Sequence, residues 1–288
     1  MLHGFDYRAI ETAGATINVA LAGSGPPLVL LHGYPQTHAM WHRIAPELAE
    51  SFTVVCPDLR GYGESSKPPT DDAHEPYSKR AMATDVAQVM TQLGFERFCV
   101  AGHDRGGRVA HRLALDARDR IDRVAVLDII PAHSVFAQMD KDAATGTYHW
   151  FFLSQPYDLP ERLIGADPAF FLRWHLKSWS GGPDEFFAAE ALAAYERAFS
   201  DPATVHATCE DYRAGASIDL EHDEADLERP LECPLFVLWG SRTKPGDLEA
   251  VWRDWALDVT AHVLPCGHFL AEELPSETLA HLRRFFPG

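Results

Sequence analysis

Short apolar runs, rich in β-branched residues and closed off by turn formers, recur at Tyr7–Glu11, Thr16–Ala20, Leu28–Leu31, Phe52–Pro57, Phe98–Ala101, Val124–Ile129, Leu235–Trp239 and His262–Leu264. Their length and bounding residues predict β-strands. From the third onward, longer stretches with helical spacing stand between them, among them Trp41–Glu50, Ser78–Leu93, Gly107–Ala117, Leu248–Leu257 and Pro275–Phe286. Alternation of this kind predicts a mostly parallel eight-stranded sheet with helices on both faces. The first two runs have no helix between them, which predicts an antiparallel hairpin at the sheet edge.

Between Ile130 and about Pro230 the strand rhythm stops, and the chain becomes aromatic and helical in pattern, with Pro156, Pro160, Pro168, Pro183 and Pro202 as breakers. This divides the sequence into a first core segment (1–132), an inserted helical cap (133–228) and a second core segment (229–288). No internal repeat interrupts the scheme.

Composition narrows the function classes. Apolar residues make up 46% and charged residues 23% of 288, which is globular and not disordered composition. The net charge of −17 repels a phosphate backbone and excludes nucleic acid as a natural partner. Cys56, Cys99, Cys209, Cys233 and Cys266 are odd in number and show no C-x-x-C spacing, so a reducing, cytoplasmic setting is expected. The longest apolar run near the N-terminus, Leu28–Leu31, is too short for a signal or membrane segment.

Three motifs carry the chemistry. The strand at Phe98–Ala101 runs into Gly102-His103-Asp104-Arg105-Gly106, and a helix follows. This is the G-x-Nuc-x-G setting of a nucleophile held at a sharp strand-to-helix turn, with aspartate in the centre; the plain alternative is an aspartate that caps the helix. His32-Gly33-Tyr34-Pro35 follows the third strand, where backbone N–H groups of Tyr34 and Arg105 could form an oxyanion hole. Gly267-His268-Phe269 follows the last strand and supplies a base late in the chain.

With these motifs in this order, the sequence resembles the α/β-hydrolase superfamily over essentially its whole length. The resemblance implies Asp104 as nucleophile, His268 as base and an acid between them. Asp128, at the end of Val124–Ile129, and Asp247, in the loop after Leu235–Trp239, are the candidates. Asp128 is preferred because ligands gather at the carboxyl ends of strands in open α/β sheets. Ser241-Arg242-Thr243-Lys244 stands where many relatives carry the acid, and this loop is expected to have no bearing on the chemistry.

An aspartate nucleophile attacks an sp³ carbon to form an ester, which a base-activated water then hydrolyses. Haloalkane dehalogenases, haloacetate dehalogenases and epoxide hydrolases work in this way. Arg105 and Arg108 lie three residues apart on one helical face, at a helix start where the dipole disfavours cations, and are suited to a substrate carboxylate. Together with His149, Trp150 and Tyr212, the sequence resembles the fluoroacetate (haloacetate) dehalogenases. That resemblance implies that His149, Trp150 and Tyr212 hold the departing halide, that Arg105 and Arg108 bind carboxylate, and that the partner is a small haloacid. It also implies a homodimer and no cofactor or metal, and no His/Asp/Glu cluster with ligand spacing is evident in the sequence. An epoxide hydrolase using the same three residues is the alternative, which the two arginines disfavour because a neutral epoxide has no use for them.

Overall fold

The computed structural model describes residues 2–182, 186–243 and 247–286. Its strands are β1 (Asp6–Glu11), β2 (Thr16–Ala22), β3 (Pro27–Leu31), β4 (Thr53–Pro57), β5 (Phe98–His103), β6 (Ile121–Leu127), β7 (Leu235–Gly240) and β8 (Val259–Leu264). They form one eight-stranded sheet in the order β1-β2-β4-β3-β5-β6-β7-β8. β1 and β2 pair antiparallel, as does β2 with β4, and the remaining neighbours are parallel.

The apolar runs explain this order. β3 and β5 are almost wholly buried, as near-continuous hydrophobic strands must be when helices cover both faces. β1 reads Asp-Tyr-Arg-Ala-Ile-Glu and is largely exposed, and its charges blunt an edge that could otherwise recruit another strand. The helices Lys79–Gln92 and Arg105–Asp116 belong to the core, the first capped by the Ser78 hydroxyl, which accepts from Ala81 N–H at 3.1 Å.

The predicted helix over 41–50 is broken into a 3₁₀ turn, His38–Trp41, and one helical turn, Ala45–Leu48. Pro46 has no N–H to bond back to the preceding turn, so the two pieces cannot merge.

Between β6 and β7 the described chain is helical from Ala132 to Ala225. Three of the prolines read as breakers start helices, Pro160, Pro168 and Pro202 each standing in a first turn, while Pro156 lies in the bend between two helices. Asp167 and Asp201 cap the helices at Pro168 and Pro202, a pairing that supplies an acceptor for orphan N–H groups and a residue that needs none. Pro183 lies outside the described residues. Aromatic side chains of the helices Tyr148–Leu153, Pro168–Trp179 and Pro202–Gly215 meet Tyr34, just past β3, and Arg105, just past β5.

Candidate active site

The turn from β5 into the helix Arg105–Asp116 falls on a single residue, Asp104, with φ 48° and ψ −119°. A backbone like this costs an L-residue about 1–3 kcal/mol and is kept where function needs it. The flanking glycines are required by space. A Cβ on Gly102 would meet the Gly106 carbonyl oxygen at 2.2 Å, and one on Gly106 would meet the His32 carbonyl oxygen at 2.3 Å. The Asp104 side chain makes no capping bond to the helix it precedes, so the plain capping role is not the one it fills.

Its oxygens are directed elsewhere. Oδ1 accepts from the Tyr34 backbone N–H at 2.8 Å, while Oδ2 faces His268 Nε2 at 3.7 Å and Arg108 Nη1 at 3.8 Å. Burial pushes the Asp104 carboxyl up, but its interactions with His268 and with the Arg108 and Arg105 guanidiniums outweigh it and hold the group well below the usual carboxylate range. Asp104 is therefore an ionised carboxylate in a dry setting. Arg105 is the first helical residue, where backbone N–H groups have no acceptor within the helix.

His268 Nδ1 shares a 2.5 Å hydrogen bond with Asp128 Oδ2. Asp128 lies just past β6, also at positive φ (56°), and its Oδ1 accepts from Gly240 N–H at 2.9 Å and from Thr243 Oγ1 at 2.8 Å. Asp247, the other candidate acid, caps the helix Leu248–Arg253 by accepting from Ala250 N–H at 3.0 Å. The loop after Gly240, expected to have no bearing on the chemistry, does reach the candidate acid: the Thr243 hydroxyl lies 2.8 Å from Asp128 Oδ1 and 2.9 Å from the Gly240 carbonyl oxygen. Lys244 lies outside the described residues. His103 adds a further support, donating from Nε2 to the His268 carbonyl at 2.7 Å with its ring 4.4 Å from the His268 ring. Burial, reinforced by the nearby His268, draws His103 down to about 3, so it stays neutral.

The two arginines are not equivalent. Arg105 is fully buried and bound twice to the Asp211 carboxylate, Nε to Oδ2 at 3.0 Å and Nη2 to Oδ1 at 2.6 Å, and Nη2 also donates to the Asp211 carbonyl. Lys79 and the Tyr62 hydroxyl donate to the same two oxygens of Asp211, Lys79 to Oδ1 and Tyr62 to Oδ2. Only Nη1 of Arg105 has no partner among the described residues. Among the described residues Arg108 has no such anchor, and the carboxylate beside it is Asp104 itself. Burial draws Arg108 down to about 10, only partly offset by Asp104, whereas Asp211 overcomes burial and raises Arg105. Sequence spacing placed the arginines side by side but could not announce Asp211, which reaches Arg105 from 106 residues away.

Above them lies an aromatic wall. The Trp150 ring is 4.7 Å from the Arg108 guanidinium carbon and 5.5 Å from that of Arg105, which also stands 4.2 Å over Tyr212. His149 packs against Tyr212 at 5.7 Å and Tyr212 against Trp150 at 5.9 Å. The structure thus brings His149, Trp150 and Tyr212 together over the arginines. Two further members were missed: Trp179, 4.5 Å from His149 and 5.7 Å from His268, and His175, one helical turn earlier, 4.7 Å from Trp179. Their four-residue spacing on one helical face was the available signal. His149 Nδ1 and the hydroxyls of Tyr212 and Tyr34 are buried and have no partner among the described residues.

Folding also assembles Glu161, His206 and Glu210, whose ligand-type atoms lie within 4.8 Å of one another, a cluster the sequence had not revealed. Arg213 Nη1 stands among them, bonded to Glu161 at 2.7 Å and Glu210 at 2.6 Å, so a guanidinium already occupies the cationic position.

Residues 26–275 match the alpha/beta hydrolase fold family. The chain is 46% identical over 288 residues to a fluoroacetate dehalogenase of Burkholderia sp., covering 99% of this chain and 95% of that protein. It is 36% identical over 277 residues to a soluble epoxide hydrolase of Corynebacterium sp. (strain C12), covering 95% and 94%. The crystal structure of ALR0039 from Nostoc sp. PCC 7120, named for the same hydrolase fold, superposes with a TM-score of 0.97 at 54% identity, covering 99% of each chain. The chain belongs to the α/β-hydrolase family, in the branch that holds the fluoroacetate dehalogenases.

Proposed function

We propose that this protein is a haloacetate dehalogenase that converts fluoroacetate to glycolate and fluoride. Asp104 attacks the halogen-bearing carbon and displaces halide, giving an ester, and water activated by His268, with Asp128 stabilising the imidazolium, attacks the Asp104 carboxyl carbon. The Tyr34 and Arg105 backbone N–H groups receive the oxyanion of that second step. The observation that carries this reading is an ionised aspartate at the elbow, with His268 Nε2 3.7 Å and Arg108 Nη1 3.8 Å from its outward oxygen. A carboxylate so placed is a nucleophile for an sp³ carbon, and the adjoining cation selects a substrate that carries its own carboxylate.

In this reading Arg108 and the free Nη1 of Arg105 hold the carboxylate, and His149, Trp150 and Tyr212 donate to the halide. Fluoride is small, strongly hydrated and a poor leaving group, so a dry site must replace its water with aimed donors. A neutral epoxide would leave Arg108 unused, which sets the epoxide alternative second. The test is a single turnover in oxygen-18 water: label is expected in Asp104 and not in first-turnover glycolate, and directly labelled glycolate overturns the ester scheme.

The reading extends to a homodimer in a reducing, cytoplasmic setting. Support comes from five unpaired cysteines and from large apolar side chains exposed along the insertion, Tyr157, Leu163, Phe170 and Trp174 among them. Light scattering should give twice the chain mass, falling to the chain mass when Phe170 and Trp174 are both changed to Glu; a monomeric parent protein overturns it.

A further inference from the structure

Asp128 orients the His268 ring, but an imidazole is only as well placed as the backbone that carries it. That backbone is fastened to the sheet side and to the insertion alike. The His268 N–H donates to the Trp179 carbonyl at 2.9 Å, at the end of the insertion's helix Pro168–Trp179, and the His268 carbonyl accepts from His103 Nε2 at 2.7 Å. The N–H groups on either side of His268 both turn to Glu273: Gly267 donates to Oε2 at 2.8 Å and Phe269 to Oε1 at 3.0 Å. Oε2 also accepts from Gly181 N–H at 2.8 Å, two residues past the same helix. One carboxylate thus brackets His268 and joins its loop to the insertion. The join is tight, for a Cβ on either Gly181 or Gly267 would strike the backbone nitrogen of the other.

We propose that Glu273 is a positioning residue for the base, holding the backbone around His268 against the end of the insertion and so setting the reach of Nε2. The inference rests on His268 as the base of the proposed dehalogenase. Ester hydrolysis needs Nε2 within about 2.6–3.2 Å of the water that attacks the Asp104 carboxyl carbon. A misplacement of about 1 Å there costs on the order of 10²-fold in rate. Asp128 sets the turn of the ring through Nδ1, while the depth at which the ring sits follows from the loop. A carboxylate suits this task, because hydrogen bonds to an ionised acceptor are shorter and stronger than neutral ones, and three converge on Glu273. Formation of the ester makes no such demand. That step transfers no proton, and the three bonds of the Glu273 carboxylate reach none of Asp104, Arg105 and Arg108.

The experiment compares the parent protein with Glu273→Gln and Gly181→Ala. Chloride release and ester-bearing protein are followed by rapid quench and intact mass in single turnovers of chloroacetate, and kcat and KM are measured in the steady state. Glu273→Gln keeps the shape but cannot accept at both positions, so ester hydrolysis should slow about tenfold and the ester should accumulate. The kcat/KM for chloroacetate reports only the steps through irreversible alkylation and should stay within about twofold, with kcat and KM falling together. Gly181→Ala leaves the carboxylate in place and presses on Gly267 from the insertion, so the same split is expected. A folded Glu273→Gln whose ester hydrolyses at the parent rate overturns the inference, as does a loss shared equally by alkylation and hydrolysis, or a Gly181→Ala altered only in melting temperature. Each of those outcomes leaves the dehalogenase reading standing, because chloride still appears. A parent protein that releases no chloride overturns both.

Discussion

On the sheet side of the site, Asp104, Asp128 and His268 take their partners from the ends of β3, β5, β6 and β7 and the loops that follow: Tyr34 N–H on Asp104, Gly240 N–H and Thr243 on Asp128, and Asp128 on His268. On the side facing the insertion, His149 Nδ1, the Tyr212 hydroxyl, Arg105 Nη1 and Arg108 Nε are all buried with no partner among the described residues. Both sides are equally dry, so the difference is not one of exposure. The floor is largely paired in the free protein, although buried His103 Nδ1 has no partner among the described residues, and its hydrogen bonds hold Asp104, Asp128 and His268 in place. The ceiling carries a desolvation cost of about 1–3 kcal/mol for each unpaired group, which a bound ligand would relieve. In the proposed mechanism the two sides separate by chemical step, with the floor serving ester hydrolysis and the ceiling serving substrate selection and departure of the leaving group.

The largest effect expected from that division comes from the floor. His268→Asn removes the base needed only for the second step, so turnover should fall about 10²–10⁴-fold while alkylation of Asp104 continues. Intact-mass spectrometry after haloacetate treatment should show a carboxymethyl group on the protein. A folded variant that never becomes alkylated would mean that His268 also serves the first step and would break the separation.

Next comes the ceiling. Trp150→Phe keeps most of the ring over Arg108 and deletes an indole N–H, whose loss where charge develops costs roughly 10²–10³ in rate. Defluorination should suffer more than dechlorination, because chloride leaves more readily and depends less on an aimed donor. Comparing kcat/KM for fluoroacetate and chloroacetate checks this, and equal losses would make Trp150 part of the packing and not of the halide site.

The same division explains what could be read from the sequence. The sheet, the elbow and the meeting of Asp104, Asp128 and His268 were legible because they depend on local rules: apolar run lengths, glycines flanking a strained turn and chain order. Asp128 was distinguishable from Asp247 by its place at a strand end. The partners of the site were not legible, since Asp211 finds Arg105, and Thr243 finds Asp128, across 106 and 115 residues respectively. Nor was Trp179, whose aromatic character in a helical stretch looks the same in a core as in a pocket. Thr243→Val tests the most consequential of these omissions. It leaves Gly240 N–H on the Asp128 oxygen and removes the hydroxyl, so the ester-hydrolysis step should slow about tenfold without a change in alkylation rate. An unchanged single-turnover hydrolysis rate would return the loop to a purely structural role.

The smallest effect on turnover concerns Glu272, which fastens floor to ceiling without touching either reacting group. It is fully buried and accepts from Gln36 Nε2 at 2.5 Å, in the loop after Tyr34, and from the Tyr195 hydroxyl at 3.1 Å, in the insertion. Burial pushes its carboxyl up to about 8, a shift these two donors only partly oppose. A neutral Glu272 has a proton to place, and turning the Gln36 amide over lets its oxygen, otherwise without a partner among the described residues, accept it. Because the folded value lies above the ordinary 4.5, the folded state holds a proton the unfolded chain has released. The associated stability is whole below about pH 4.5 and is lost as pH rises toward 8, at up to about 1.4 kcal/mol per pH unit. Glu272→Gln, which keeps the shape and cannot ionise, should therefore flatten the decline in unfolding free energy between pH 5 and about 8, with denaturant titrations of both proteins as the measurement. Parallel curves would show that the join between floor and ceiling carries an ionised carboxylate throughout.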